Sequence, residues 1–277
     1  MILKNKHSNS CRTYRGAGVL VAVACLLSCV SPSEAGLKIY YIRHAEGGHN
    51  VVKEWAKVPK AQRPAYVGNA NVFTPKGETQ VVAATEKLQK YHFDFIGVSS
   101  MWRTRHTILP YLKAAGAKGE IWPELHEFGG GSRILSTNLP VPAGEILNAG
   151  SRVELPPDEA PYFRLREDGK NDFKLPPAKE GVKGEEQESA IQLVVRRAVD
   201  MIHKRFGGTD EAILLVGHGN SGKALLRMLT GNKLADIPSM ANTGIWMVEE
   251  QPNGRFKLEM YNDAPWEEEG AVTAQPR

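Results

Sequence analysis

The stretch Leu37-Lys38-Ile39-Tyr40-Tyr41-Ile42-Arg43-His44 decides how the rest of the chain is read. It is a short, nearly continuous apolar run rather than an alternating one, as expected of a strand covered on both faces. It ends abruptly on two residues that carry chemistry. Similar runs recur at Phe93–Val98, Ala212–Val216 and Thr243–Val248, with a weaker one at Phe256–Tyr261.

Helical patterns separate these runs. Thr74 can cap a helix with Pro75 in its first position, and Val81, Val82, Ala84 and Leu88 supply an inner face. A second helix is expected after Arg103, kinked or shortened by Pro110. The clearest helix spans about Glu185 to Phe206, where Ile191, Val194, Val195, Ala198, Met201 and Ile202 recur at helical spacing before Gly207-Gly208. A last helix should follow Gly219, with Ala224, Leu225 and Met228 inward. Strands alternating with helices predict a three-layer α/β/α sandwich around a mostly parallel central sheet.

Two stretches lack periodicity. Residues 51–73 read as a polar loop, and Phe128–Gly184 as a long loop-rich insertion with Gly129-Gly130-Gly131 and Pro156-Pro157. Loops of that length in a domain are usually functional or disordered. The expected organisation is a signal segment over 1–35, one domain over 36–265 with its insertion at about 128–184, and a solvated tail over 266–277.

The front of the chain sets the charge balance. Lys4, Lys6, Arg12 and Arg15 precede an apolar run from Ala17 to Val30, then Ser33 and Ala35 stand before Gly36. This is the layout of a secretory signal, and the run is short of the ~20 residues that span a bilayer. Taking four basic and one acidic residues from 35 and 31 leaves 31 and 30, so the formal +4 falls to +1. Composition therefore gives no argument for nucleic-acid binding. All three cysteines, Cys11, Cys25 and Cys29, lie in the segment, which leaves the exported domain without thiol chemistry. Leu26-Leu27-Ser28-Cys29 has the form of a lipoprotein signal. Cys29 is either a lipidated first residue anchoring the protein to a membrane or a cysteine that falls by chance in an apolar run.

Reactive residues cluster at strand ends. Arg43-His44 ends the first strand, Ser99-Ser100-Met101-Trp102-Arg103 follows the second, and Gly217-His218-Gly219-Asn220 follows Ala212–Val216. Ligands of open α/β sheets bind at the carboxyl ends of strands. Arg43, His44, Arg103 and His218 thus converge. Two arginines and a helix start suit a dianionic phosphate. An imidazole facing that pocket can attack phosphorus. The competing reading is a metal site of His44, His49 and His218, against which the two fixed positive charges count. His49, His92, His126 and His203 otherwise read as ordinary surface or loop histidines.

The same residues resemble the histidine phosphatase superfamily in its phosphoglycerate-mutase-like branch. The resemblance rests on Arg43-His44-Ala45-Glu46 with Asn50, on Thr74-Pro75-Lys76-Gly77, and on Ser99-Ser100-Met101-Trp102-Arg103-Thr104. It continues through Leu125-His126-Glu127 and His218-Gly219-Asn220-Ser221. Ala45 stands for the commoner glycine, Met101 and Trp102 replace a proline-led stretch, and His106 replaces glutamine. The resemblance implies that His44 is the nucleophile, that Arg43, Asn50, Arg103 and His218 hold phosphate, and that Glu127 protonates the leaving group, with Glu124 the alternative. It implies no cofactor and no metal. The partner expected is a small phosphorylated substrate, with the oligomeric state open. A phosphomutase needs extra cations, for which Arg133, Arg152, Arg164, Arg166, Lys170 and Lys174 are candidates. A non-catalytic binder of phosphorylated ligands is the third reading.

Overall fold

The computed structural model describes residues 36–127, 155–166, 185–231 and 237–267. The strands and helices are β1 (Lys38–Arg43), α1 (Pro75–Leu88), β2 (Phe95–Val98), α2 (Trp102–Ala115), β3 (Gly119–Ile121) and β4 (Phe163–Arg164). They continue with α3 (Glu185–Phe206), β5 (Ala212–Gly217), α4 (Gly219–Leu229), β6 (Ile245–Glu250), β7 (Phe256–Tyr261) and β8 (Ala264–Pro265). The expected signal segment, Cys29, most of the insertion and residues 268–277 lie outside the described residues. Among the described residues, no helix is long and apolar enough to cross a membrane.

One eight-stranded sheet runs in the order β4-β3-β2-β5-β1-β6-β7-β8. From β4 to β1 every pairing is parallel, and β6 to β8 add an antiparallel meander. The apolar runs are continuous because each strand feeds two cores. Ile39, Tyr41, Ile213 and Leu215 point to the core shared with α3 and α4. Ile42, Leu214 and Val216 point to the core shared with α1 and α2. Each fully buried aliphatic side chain contributes roughly 1.5–3 kcal/mol, so both faces must be covered. This is the expected three-layer sandwich.

Local signals explain the helices. Thr74 Oγ1 accepts from the Gly77 N–H at 3.0 Å, with Pro75 in the first turn. Gly77 also lets α1 approach the loop after β1, since a Cβ there would lie 2.1 Å from the Glu46 carbonyl oxygen. Pro110 does not shorten α2, which runs unbroken to Ala115. Its missing N–H frees the carbonyl of His106 on a half-buried side of the helix, while Ile108, Tyr111 and Leu112 hold the buried side to the core. In α4 the buried apolar face is Leu225, Leu226 and Leu229, with Ala224 and Met228 only partly covered.

Three expectations change. The strand expected at Thr243 begins at Ile245, because Thr243 takes a positive φ of 55° in the turn that precedes it. Phe163–Arg164, inside the stretch read as loop, is an edge strand paired with β3. Trp266, placed in the tail, packs against Tyr261 at 5.8 Å between ring centroids.

Candidate active site

β2, β5 and β1 are neighbours, and Arg43 lies opposite Gly217 in the pairing of β1 with β5. The residues that follow these strands therefore meet at one edge of the sheet. A cavity of about 440 Å³ opens there, lined by Arg43, His44, Asn50, Arg103, Glu127 and the start of α4.

His44 is buried, and its position is fixed on three sides. Its backbone N–H donates to the Gly217 carbonyl at 3.0 Å, and its own carbonyl accepts from Asn242 Nδ2 at 2.9 Å. Its Nδ1 lies 2.7 Å from the Ala45 carbonyl. A carbonyl can only accept, so Nδ1 carries the proton and Nε2 holds the lone pair. Burial, followed by the Arg103 charge, pushes the His44 pKa well below the usual histidine value, which keeps that lone pair free.

His218 stands behind His44, with ring centroids 5.2 Å apart. Its Nε2 is 2.9 Å from Ser99 Oγ, so Ser99 orients the ring. Burial and then Arg103 push its pKa down as well. Tyr41 fixes the backbone here, accepting the His218 N–H at 2.6 Å and donating to the His218 carbonyl at 2.9 Å. Gly217 and Gly222 make room for that ring: a Cβ would lie 2.1 Å from Tyr41 Oη at the first and 2.5 Å from the ring at the second.

Arg43 donates from Nη1 to the Met240 carbonyl and packs over Gly219, where a Cβ would lie 3.4 Å from Arg43 Nε. Arg103 opens α2 and is buried. Asn50 Oδ1 accepts from the Gly47 N–H at 2.9 Å, which turns its side chain into the loop end beside His44. Glu127 lines the cavity and accepts from the Ser221 N–H at 3.3 Å. Glu124 points elsewhere. Its Oε1 is held by Arg166 at 2.8 Å and Arg197 at 3.2 Å, away from the cavity. Glu46 also turns away, to Thr74 Oγ1 at 2.8 Å and Lys76 at 3.1 Å, where it ties the loop after β1 to α1.

Several residues of this site escaped the sequence. His49 and His126 are not surface histidines. His49 lines the cavity with its ring 5.4 Å from His44, and His126 is buried 6.4 Å from His218. Burial, with Arg103 next, brings each to a pKa of about 3. Lys223, Ser239 and Met240 also line the cavity. Helical spacing from Gly219 could have found Lys223, but nothing in the sequence marks residues 239 and 240. His92 and His203 are exposed, as expected.

Arg43 Nε and His49 Nδ1 at the cavity, and His218 Nδ1 and both ring nitrogens of His126 behind His44, are buried without a hydrogen-bond partner. Buried polar atoms normally find one, and unpaired groups in such numbers mark a place built for another molecule. Among the described residues, no three His, Cys, Asp or Glu side chains are grouped so as to hold a metal ion. Of the extra cations considered for a mutase, Arg164 pairs with Glu120 at 3.1 Å and Arg166 with Glu124, neither at this cavity. Arg133, Arg152, Lys170 and Lys174 lie outside the described residues.

Residues 39–133 match the model of the histidine phosphatase superfamily, branch 1. No curated protein sequence matches the chain. Among solved structures it is similar to mycobacterial hydrolase 1, at 18% identity and a TM-score of 0.50, covering 82% of this chain and 98% of that one. It is also similar to a candidate alpha-ribazole-5'-P phosphatase from Escherichia coli, at 18% identity and a TM-score of 0.50, covering 84% and 100%. At such identities the likeness concerns the fold. The matched segment, similar to branch 1 of the histidine phosphatase superfamily, is the one that carries Arg43, His44, Asn50, Arg103 and Glu127.

Proposed function

We propose that the protein is a phosphatase of phosphate monoesters that works through a phosphohistidine on His44 and uses no metal ion. The observation that carries this reading is the His44 ring: Nδ1 is tied to the Ala45 carbonyl, in a cavity flanked by Arg43 and Arg103. A neutral imidazole with its lone pair on Nε2, beside two permanent positive charges, suits attack on a phosphoryl dianion.

In the first step Nε2 forms a bond to phosphorus as the ester P–O bond breaks. The leaving alkoxide takes its proton from Glu127. In the second step the Glu127 carboxylate removes a proton from water, which attacks phosphorus, and the P–N bond returns its electron pair to His44. Arg43, Arg103, Asn50 and the donors at the start of α4 hold the phosphoryl oxygens through both steps. The mutase reading loses Arg164 and Arg166 to ion pairs elsewhere. The basic start, apolar run and small-residue exit at Ala35 support export, with Gly36 or a lipidated Cys29 as the first residue of the mature protein.

Neutral quenching during turnover of p-nitrophenyl phosphate tests the mechanism. An acid-labile phosphoryl group should be trapped on His44, and His44→Ala should abolish turnover while retaining part of the affinity for phosphate. Full activity in His44→Ala would end the proposal.

A further inference from the structure

The loop after β1 is built to hold one side chain over His44. Gly48 donates its N–H to the Val72 carbonyl at 3.0 Å and accepts from the Gly68 N–H at 2.8 Å. The Asn50 N–H donates to the Gly47 carbonyl at 2.9 Å. A Cβ at Gly48 would lie 1.6 Å from the Tyr66 carbonyl oxygen, and one at Gly47 would lie 2.9 Å from His49 Nδ1. The backbone on both sides of His49 is therefore fixed. Its ring lines the catalytic cavity, with 5.4 Å between its centroid and that of His44.

Among the described residues that ring makes no hydrogen bond, and its Nδ1 is buried without a partner. Nε2 is then the nitrogen left to meet a ligand. A buried N–H without an acceptor is rarer than an unpaired acceptor, so the proton belongs on Nε2. Burial, with the Arg103 and Arg43 charges next, holds the ring at a pKa of about 3, which leaves it uncharged at neutral pH. An apolar ring would fill the same space with no unpaired nitrogen. A rigid loop that presents an unpaired histidine to a cavity is suited to a molecule from outside.

We propose that His49 is a further phosphoryl-binding residue, its Nε2–H donating to an oxygen of the group that is transferred to His44. The inference rests on the phosphatase reading above. Arg43 and Arg103 supply fixed charge, whereas His49 supplies an uncharged donor whose direction is set by the ring. The phosphoryl group is common to every substrate. The contribution of His49 is therefore independent of the leaving group, unlike that of Glu127.

Two variants of the full chain test this on p-nitrophenyl phosphate and on glycerol 2-phosphate, with inhibition by orthovanadate measured alongside. His49→Phe keeps a ring and removes the donor, and His49→Gln keeps an N–H near the place of Nε2. Turnover of both substrates should fall by one common factor in His49→Phe, about ten- to hundredfold, and vanadate inhibition should weaken about tenfold or more. His49→Gln should stay within about threefold of the wild type in each measurement. The urea midpoint of His49→Phe should not fall, because the unpaired buried nitrogen is gone. Unchanged turnover and inhibition in His49→Phe, equal losses in both variants, or a loss confined to glycerol 2-phosphate would each overturn the proposal. A urea midpoint lowered in step with activity would mark a structural role and overturn it too. A wild type that neither hydrolyses p-nitrophenyl phosphate nor binds vanadate would end this inference together with the reading beneath it. Wild-type turnover beside an unaffected His49→Phe would end this inference alone.

Discussion

Tyr41 and His218, 177 residues apart in the chain, are joined by a pair of hydrogen bonds in which the phenol both accepts the His218 N–H and donates to the His218 carbonyl. A side chain of the first strand thereby sets where the last helix begins. Tyr41→Phe should remove both bonds and leave the buried His218 N–H without its partner, while the His218 carbonyl keeps the Gly222 N–H at 3.0 Å. A stability loss of about 1–3 kcal/mol is expected in urea denaturation. Turnover should fall with little change in KM, because the His218 ring shifts relative to His44.

Glu127 and Glu124 make a matched pair of tests. An alkoxide needs a proton as it departs, whereas a nitrophenolate needs little help. Glu127→Gln should depress hydrolysis of alkyl phosphates by about 10²–10⁴-fold and affect p-nitrophenyl phosphate far less. Glu124→Gln should show no such dependence on the leaving group. It should instead destabilise the protein, since Arg166 and Arg197 lose their shared carboxylate.

Three buried histidines and one half-buried one bias stability with pH. His44, His49, His126 and His218 all have lowered pKa values in the fold, so below about pH 6.5 the unfolded chain binds protons that the native one refuses. Stability is therefore greatest above the ordinary histidine pKa and declines as pH falls below it. At pH 5 each such group contributes about 1.4 kcal/mol per pH unit to that decline. Urea midpoints measured from pH 7.5 to 5 should fall, and His126→Gln should reduce the slope by about one quarter. A midpoint flat across that range would count against neutral histidines in the fold.

Hydrolysis should survive prolonged EDTA treatment. The positive charges of Arg43 and Arg103 disfavour a cation in the space that His44 and His49 line. Activity lost on chelation and regained with zinc would favour the metal reading.

Export is checked by the amino terminus. Intact mass of protein isolated from its native cell should correspond to a chain beginning at Gly36, or at a lipidated Cys29. An unprocessed Met1 would contradict it.

The sheet was legible because burial on two faces writes itself into continuous apolar runs, as at Ile39–Ile42 and Ile213–Val216. The convergence was legible where residues end a strand or open the helix after one, as Arg43, His44 and His218 do at β1 and β5 and Arg103 does in the first turn of α2. Side chains brought in from loops left no such mark. His49 and His126 look like loop histidines until the fold closes over them, and Met240 enters through its backbone carbonyl, which no sequence pattern reports. The two-residue strand Phe163–Arg164 is too short to show a period, and pairing with β3 alone defines it. Pro110 shows the opposite case, since of the two outcomes expected of it, a kink or a shorter helix, the shortening does not occur and α2 continues to Ala115.

Glu159 adds a constraint on redesign. It lies beyond the catalytic residues, in the insertion, yet its carboxylate is buried against Arg105 and also lies 3.1 Å from His106. Burial alone would raise its pKa, but these partners bring it down to about 2. Arg105 stands two residues after Arg103 on the same helix. Grafting a foreign loop in place of the insertion would take the buried Glu159 carboxylate from the Arg105 guanidinium, and breaking a buried ion pair by removing one partner costs about 3–5 kcal/mol. A graft would therefore have to keep an acidic residue at this position, together with the Phe163–Arg164 strand that pairs with β3.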